Sequence, residues 1–289
     1  MQKKPVIEVR KLTHRYLAGT PLEVQSLRGI DFTLYTDEIV GIVGPTGSGK
    51  STLLCHLNGL IRPQEGDVLV FGVSLADSRA DMRMIRKRIG MLFQNPEQQL
   101  FERFAGDDVA FGPRNYDLSK EEVREAVRRA MEMVGLPFSY KDRLTADLSL
   151  GEKRRLALAG VFALDPEILV LDEPTASLDP EGRRQVLEVL KGWRRRPGRS
   201  LIVVSHNMED IAELADRTYL LSDGEVVYSG VTGKLFADRE LLLRQGLALT
   251  VPLQVVHRLS QNGISLGKGN VSARGVAEEI GSVLHGSAQ

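Results

Sequence analysis

The chain has 289 residues, 42% of them hydrophobic and 26% charged, the ordinary balance of a globular protein with room for a large core and two domains. Lysine plus arginine equals aspartate plus glutamate at 38 each, so the charge balance does not point to nucleic acid as the main partner, although it leaves room for a local basic patch. The single cysteine, Cys55, cannot close an internal disulfide and reads as a packing residue in a reducing setting. No stretch reads as a secretory signal or as an apolar run long enough to span a bilayer, so contact with a membrane is expected to go through a partner.

Residues 6–35 read as strands with a loop between them, because Ile7 and Val9, and then Ile30, Phe32 and Leu34, alternate with polar residues. His14-Arg15-Tyr16 is placed just after the first strand. Tyr16 there reads either as a platform for an adenine ring or as an aromatic ending an edge strand. Next comes the apolar run Ile39-Val40-Gly41-Ile42-Val43, suited to a buried parallel strand. It leads into Gly44-Pro45-Thr46-Gly47-Ser48-Gly49-Lys50-Ser51-Thr52, which fits the phosphate-loop pattern G-x-x-x-x-G-K-S/T. Glycines let the backbone curl and bring its N–H groups against phosphate oxygens. A helix opening at Lys50 aims unpaired N–H groups and its positive dipole end at the same anion. Lys50 is expected on the terminal phosphates and the Ser51 hydroxyl on Mg²⁺. Leu53, Leu54 and Leu57 mark that helix, and Asn58-Gly59 stop it.

A grammar then repeats. Ile89–Phe93 ends at Gln94, Ile168–Leu171 ends at Asp172-Glu173, and Leu201–Val204 ends at Ser205-His206. Ligands of open parallel sheets sit outside the carboxyl ends of the strands, so these runs are expected to deliver their end residues to the rim that holds the phosphate loop. Between them, residues 95–160 read as a mainly helical insertion. Ser119-Lys120-Glu121-Glu122 has the capping-box form, followed by the stripe Val123, Ala126, Val127, Ala130 and Val134, with Gly135-Leu136-Pro137 as the stop. Ser149-Leu150-Gly151-Glu152 opens a second such helix. Val186, Leu187 and Leu190 predict another, Arg194–Arg199 a solvated turn, and Tyr219–Val227 a hairpin on an Asp-Gly turn. From about Lys234 the chain breaks into short helical segments, 235–246, 252–260 and 273–285. The expected division is therefore 1–232 for the main domain and 233–289 for a small helical appendix.

Two adjacent carboxylates closing an apolar strand need a reason. Pairing with a neighbouring cation is one; a division of labour is another. In the second, Asp172 holds Mg²⁺, directly or through water, and Glu173 orients or deprotonates the attacking water. Gln94, on the same rim, is a candidate for positioning water or metal, and His206 for hydrogen-bonding the terminal phosphate. Ser149, taken alone, is an N-cap.

The combination of residues 44–52, Gln94, Leu148–Glu152, Ile168–Pro174, Ser177-Leu178-Asp179 and His206 resembles the ATP-binding-cassette (ABC) ATPases. In order, these match their Walker A, Q-loop, signature, Walker B, D-loop and H-loop, and the likeness covers roughly residues 6–230. Phe93–Phe101 and Asp108–Pro113 are further similar to the ATPase subunits of energy-coupling factor importers, which take up vitamins or transition-metal ions such as cobalt and nickel. The resemblance implies an α/β P-loop NTPase core with an N-terminal antiparallel β-subdomain, the helical insertion and the C-terminal appendix. It implies ATP with Mg²⁺, held by Ser51, Gln94 and Asp172. Glu173, His206 and Gln94 would be the catalytic set and Tyr16 the adenine-stacking residue. It also implies a head-to-tail dimer, homomeric or with a paralogue, in which Ser149 and Gly151 meet the nucleotide of the opposite protomer and Asp179 communicates across the dimer. An integral membrane component and a substrate-binding membrane component complete the expected assembly, at the cytoplasmic face of the cell membrane and without nucleic acid.

The chain departs from the family signature LSGGQ where Leu150 replaces its first glycine and Glu152 its glutamine. Phe101, Phe104 and Phe111 line a groove for a partner helix or belong to the core; the sequence leaves both open. Two other classes compete. A soluble cassette ATPase acting on DNA or ribosomes usually carries long coiled coils or two cassettes, and neither is seen. A nucleotide kinase or GTPase would lack the signature, D-loop and H-loop series, and no Asn-Lys-x-Asp is present.

Overall fold

A strand sends successive side chains to opposite faces, so an unbroken apolar run has to be covered on both sides. The computed structural model describes residues 4–262, 266 and 273–286, and its central sheet uses the runs in this way. The strands are β1 (Pro5–Tyr16), β2 (Val24–Tyr35), β3 (Ile39–Val43), β4 (Glu65–Val70), β5 (Val73–Ser74), β6 (Ile89–Leu92), β7 (Ile168–Asp172), β8 (Ser200–Val204), β9 (Arg217–Ser222) and β10 (Glu225–Val231). Six form a sheet in the order β10-β9-β3-β8-β7-β6, parallel except for β10. The other four form an antiparallel sheet, β2-β1-β4-β5.

The helices are α1 (Lys50–Leu57), α2 (Met82–Arg88), α3 (Ala105–Arg114), α4 (Lys120–Met133), α5 (Leu150–Phe162), α6 (Pro180–Arg194), α7 (Met208–Leu214), α8 (Thr232–Ala237), α9 (Arg239–Arg244), α10 (Val251–Gln261) and α11 (Ala273–Gly286). Val40, Ile42, Ile168, Val170, Ile202 and Val204 pack with Leu53, Leu54 and Leu57 of α1 and with the antiparallel sheet. Their sequence neighbours Ile39, Val43, Leu169, Leu171, Leu201 and Val203 pack against α3 to α7 on the opposite face. A one-residue slip would exchange the two sets, so register is fixed by both cores at once. Each such side chain contributes about 1.5–3 kcal/mol on burial, and Leu169→Ala would cost about 2–5 kcal/mol. No helix among the described residues is long and apolar enough to cross a membrane.

Local signals act where they were read. Ser119 Oγ accepts from Glu122 N–H and the Glu122 carboxylate from Ser119 N–H, and Ser149 with Glu152 repeats the arrangement. Asp223 and Gly224, at φ of 49° and 80°, turn β9 into β10. Cys55 is half-buried in α1, and burial pushes its thiol up, which suits a packing residue.

Three expectations are corrected, and one open alternative is decided. β1 runs through Tyr16 and lies between β2 and β4, so Tyr16 ends an inner strand. Register shifts between Val9 and Arg15 break the alternation that would have revealed its length. The arginine run is more than a solvated turn: α6 extends to Arg194, which pairs with Asp216, while Arg196 and Arg199 both reach Asp165. Phe101, Phe104 and Phe111 are partly exposed, and Phe101 meets Phe111 edge to face at 4.7 Å, so they are not core. In the C-terminal stretch the first expected segment is two helices, α8 and α9, separated at Asp238, whose carboxylate caps α9 at Leu241 N–H, 3.0 Å. Leu235, Phe236 and Leu242 join the main core. Residues 263–265, 267–272 and 287–289 of the expected appendix lie outside the described residues.

Candidate nucleotide-binding site

The loop between β3 and α1 is held in a shape that only glycine permits at two points. Gly44 has φ 151°, and a Cβ there would lie 2.1 Å from the Leu221 carbonyl oxygen. Gly49 has φ 98°, and its Cβ would lie 2.5 Å from the Ser26 carbonyl oxygen. Gly49 is also the N-cap of α1 and offers no side-chain cap, and the first turn of α1 holds no acidic residue. Helices α4, α5, α6 and α7 differ, each with a capping side chain and an acidic first turn. The α1 N-terminus therefore keeps its unpaired N–H groups and dipole for an external anion. The Ser48 hydroxyl, buried without a protein partner, adds a polar group that a phosphate oxygen would satisfy.

Lys50 Nζ donates to the Gly44 and Pro45 carbonyls at 2.9 and 2.8 Å. Burial pushes its pKa down, while Glu173 and Asp172 push it up. Ser51 Oγ donates to Asp172 Oδ2 at 3.0 Å. The Asp172 carboxyl is buried and held above the usual carboxylate range by desolvation. An oxygen set of hydroxyl, carboxylate and the Gln94 amide is what Mg²⁺ takes, together with waters and phosphate oxygens, so Ser51, Asp172 and Gln94 fit that ion. Glu173 follows on the same rim. Its N–H donates to the Val204 carbonyl at 2.9 Å, and its Oε1 accepts from His206 N–H at 2.7 Å. Desolvation, with the Asp172 charge adding to it, raises Glu173 to about 7. His206 is pushed down, first by burial and then by Lys50.

These groups line one cleft of about 260 Å³: Thr46, Gly47, Gly49, Lys50, Ser51, Thr52, Gln94, Asp172, Glu173 and His206 are on it, with Ser26. Tyr16 stands at its edge. The Tyr16 hydroxyl is 3.2 Å from Thr52 Oγ1, and its ring packs edge to face on His14 at 4.6 Å. Ser149, Gly151 and Asp179 are not brought to this cleft. Ser149 and Leu150 are exposed at the start of α5, and Asp179 caps α6 through Gly182 N–H at 2.7 Å. Sequence reading missed Ser26, which donates to Thr52 Oγ1 at 2.8 Å; it lies in β2 and no local pattern marks it. It also missed the buried Asp210, an acid in the first turn of α7 whose only signal was a charge on a helix packed against the sheet.

A phosphate loop joined to a parallel sheet, with two carboxylates and a histidine across the cleft, defines a nucleotide-hydrolysing ABC fold, and comparison with known proteins agrees. The protein-family model described as ABC transporter matches residues 27–176. The energy-coupling factor transporter ATP-binding protein EcfA2 of Clostridium perfringens is 42% identical over 91% of this chain and 92% of its own. A solved structure of cbiO1 from Clostridium perfringens, described as part of the ABC transporter complex cbiONQ, superposes with a TM-score of 0.75 at 32% identity, covering 89% of this chain and 100% of that one. The dimeric structure of the cassette MJ0796 bound to ADP and Pi has a TM-score of 0.71 at 28% identity, over 78% of this chain and 98% of that one. The chain belongs to the ATP-binding proteins of energy-coupling factor transporters, within the ABC transporter family. It is an ATPase, converting ATP and water to ADP and phosphate. The resemblance read from the motifs is thereby borne out, and the DNA- or ribosome-directed alternative is not favoured.

Proposed function

We propose that this chain, with Mg²⁺, closes as a dimer on ATP and passes the motion to membrane partners that import a vitamin or a transition-metal ion. The second ATPase subunit is another copy or a paralogue. The membrane partners are an integral component and a substrate-binding component, with this chain docked peripherally at the cytoplasmic face. Residues 1–232 form the ATPase domain and 233–289 the appendix. The observation that carries the reading is the cleft itself, which gathers Lys50, Ser51, Gln94, Asp172, Glu173 and His206 from four strand ends.

The α1 N-terminus and Lys50 bind the phosphates, and Tyr16 stacks on the base. Ser51, Asp172 and Gln94 would hold Mg²⁺, which would supply neutralisation of phosphate charge when bound. Glu173 orients the attacking water and takes its proton; a carboxyl near 7 is matched to that task at neutral pH. His206 donates to the terminal phosphate, its backbone N–H fixing the Glu173 carboxylate meanwhile. Gln94 aligns water or metal and leads into the short helix Pro96–Gln99, beside the exposed Phe101 and Phe111, which we assign to the membrane partner. Ser149 and Gly151 complete the site of the opposite protomer, which accounts for their distance from their own cleft, and Asp179 signals across the dimer. Affinity purification from native membranes tests the assembly: an integral membrane protein and a second cassette ATPase should copurify. Recovery of the chain alone, or with ribosomes or DNA, would contradict it.

A further inference from the structure

We infer that Asp210 is a positioning residue for hydrolysis, holding the loop of Glu173 and the loop of His206 in register from behind the cleft. The inference rests on the assignment of Glu173 and His206 above. Asp210 is completely buried. Its carboxylate gathers donors from three separate segments: the Thr175 hydroxyl, two residues after Glu173; the Ser205 hydroxyl at 3.4 Å, one residue before His206; and Arg183 Nε of α6 at 2.6 Å. Ser205 Oγ also accepts from Asn207 N–H at 3.0 Å, fixing the far side of His206. On the cleft side the same segments meet through His206 N–H and Glu173 Oε1 at 2.7 Å, with His206 Nε2 3.7 Å from the same oxygen, and through Glu173 N–H on the Val204 carbonyl. The carboxylate thus supplies a further tie between them, made from behind through side chains alone.

The backbone gives an independent reason for such a tie. Glu173 and Ser177 both lie in the left-handed region, at φ of 53° and 58°. Residues with side chains rarely adopt that conformation, and it persists only where the surroundings hold it in place. Thr175 sits midway between the two, and its hydroxyl is anchored on Asp210. A buried acid used only to cap α7 would face its own helix N-terminus; there Asn207 is the cap, through Glu209 N–H at 3.0 Å. Arg183 balances the buried charge and carries the network to α6, four residues beyond Asp179.

The test measures steady-state ATPase and ATP binding on the full-length chain for wild type, Glu173→Gln, Asp210→Asn, Thr175→Val and Thr175→Ser. Displacing a catalytic group by about 1 Å costs on the order of 100-fold. Asp210→Asn is therefore expected to lower kcat by roughly that factor with ATP affinity within about threefold of wild type. Thr175→Val should lose about 10-fold in kcat, a fraction of that displacement, and Thr175→Ser, which keeps the hydroxyl, should restore it. Wild-type kcat in Asp210→Asn or in Thr175→Val, with Glu173→Gln inactive, overturns the inference alone. Wild-type kcat in Glu173→Gln overturns the assignment of Glu173 and the inference with it. If Asp210→Asn does not fold, the Thr175 pair decides: failure of serine to rescue, or loss of ATP affinity in parallel with kcat, overturns it.

Discussion

Replacing Glu173 by glutamine should stabilise the nucleotide-free protein at alkaline pH and leave it unchanged at acid pH. The carboxyl titrates at 4.5 unperturbed and at about 7 in the fold, chiefly because burial penalises its charged form. Between those values the folded chain holds a proton that the unfolded chain has released, so stability falls as pH rises from about 4.5 to 7 and stays lowered above. At 1.36 kcal/mol per pH unit the full penalty is about 3 kcal/mol. Glutamine cannot ionise and keeps an oxygen for His206 N–H, so the variant escapes it. At roughly 2 °C per kcal/mol for a chain of this size, the variant should melt about 6 °C higher at pH 8.5 and within about 1 °C of wild type below pH 4.5. Calorimetric scans from pH 4 to 9 with EDTA present check this. Curves that run parallel across the range, or a variant less stable at pH 8.5, would refute the reasoning.

Lys50→Ala should lose the thermal stabilisation by Mg-ATP, which for wild type at a hundredfold excess over Kd is about 2.7 kcal/mol; a preserved shift in melting temperature would remove Lys50 from its role. Ser149→Ala should cost about 1 kcal/mol through loss of the α5 cap. It should leave ATP binding to the single chain intact and weaken ATP-driven dimerisation, read by sedimentation of a Glu173→Gln background. Leu150→Gly with Glu152→Gln should raise ATPase rate and dimerisation, because an exposed leucine and an extra negative charge leave the surface that meets the opposite nucleotide. Equal rates and equal dimerisation in the double variant would mean that the departure carries no functional cost.

Much of this was legible in the sequence because the chemistry needs contiguous residues. The phosphate loop demands glycine at fixed offsets from lysine, and β3, β7 up to Asp172 and β8 after Ser200 carry no polar side chain because both faces are covered. Capping boxes announced α4 and α5 three residues at a time. What stayed hidden depends on distant residues. The end of β1 was obscured by bulges, and Ser26 reaches the cleft only because β2 passes beneath Gly49. Arg196 and Arg199 read as solvated until the fold brought Asp165 beside them. The donors of Asp210 lie five to 35 residues away. No local pattern announces α3, whose N-cap is Phe104 with no side-chain bond.

That separate strand ends grip and cleave one triphosphate is tested most directly by the structure of Glu173→Gln trapped with Mg²⁺ and ATP. The phosphates should sit on the α1 N-terminus against Lys50, with His206 and Gln94 on the terminal phosphate, Mg²⁺ beside Ser51 and Asp172, and Ser149 of a second protomer closing the site. A triphosphate bound away from Lys50, or one that His206 and Gln94 do not face, would contradict it.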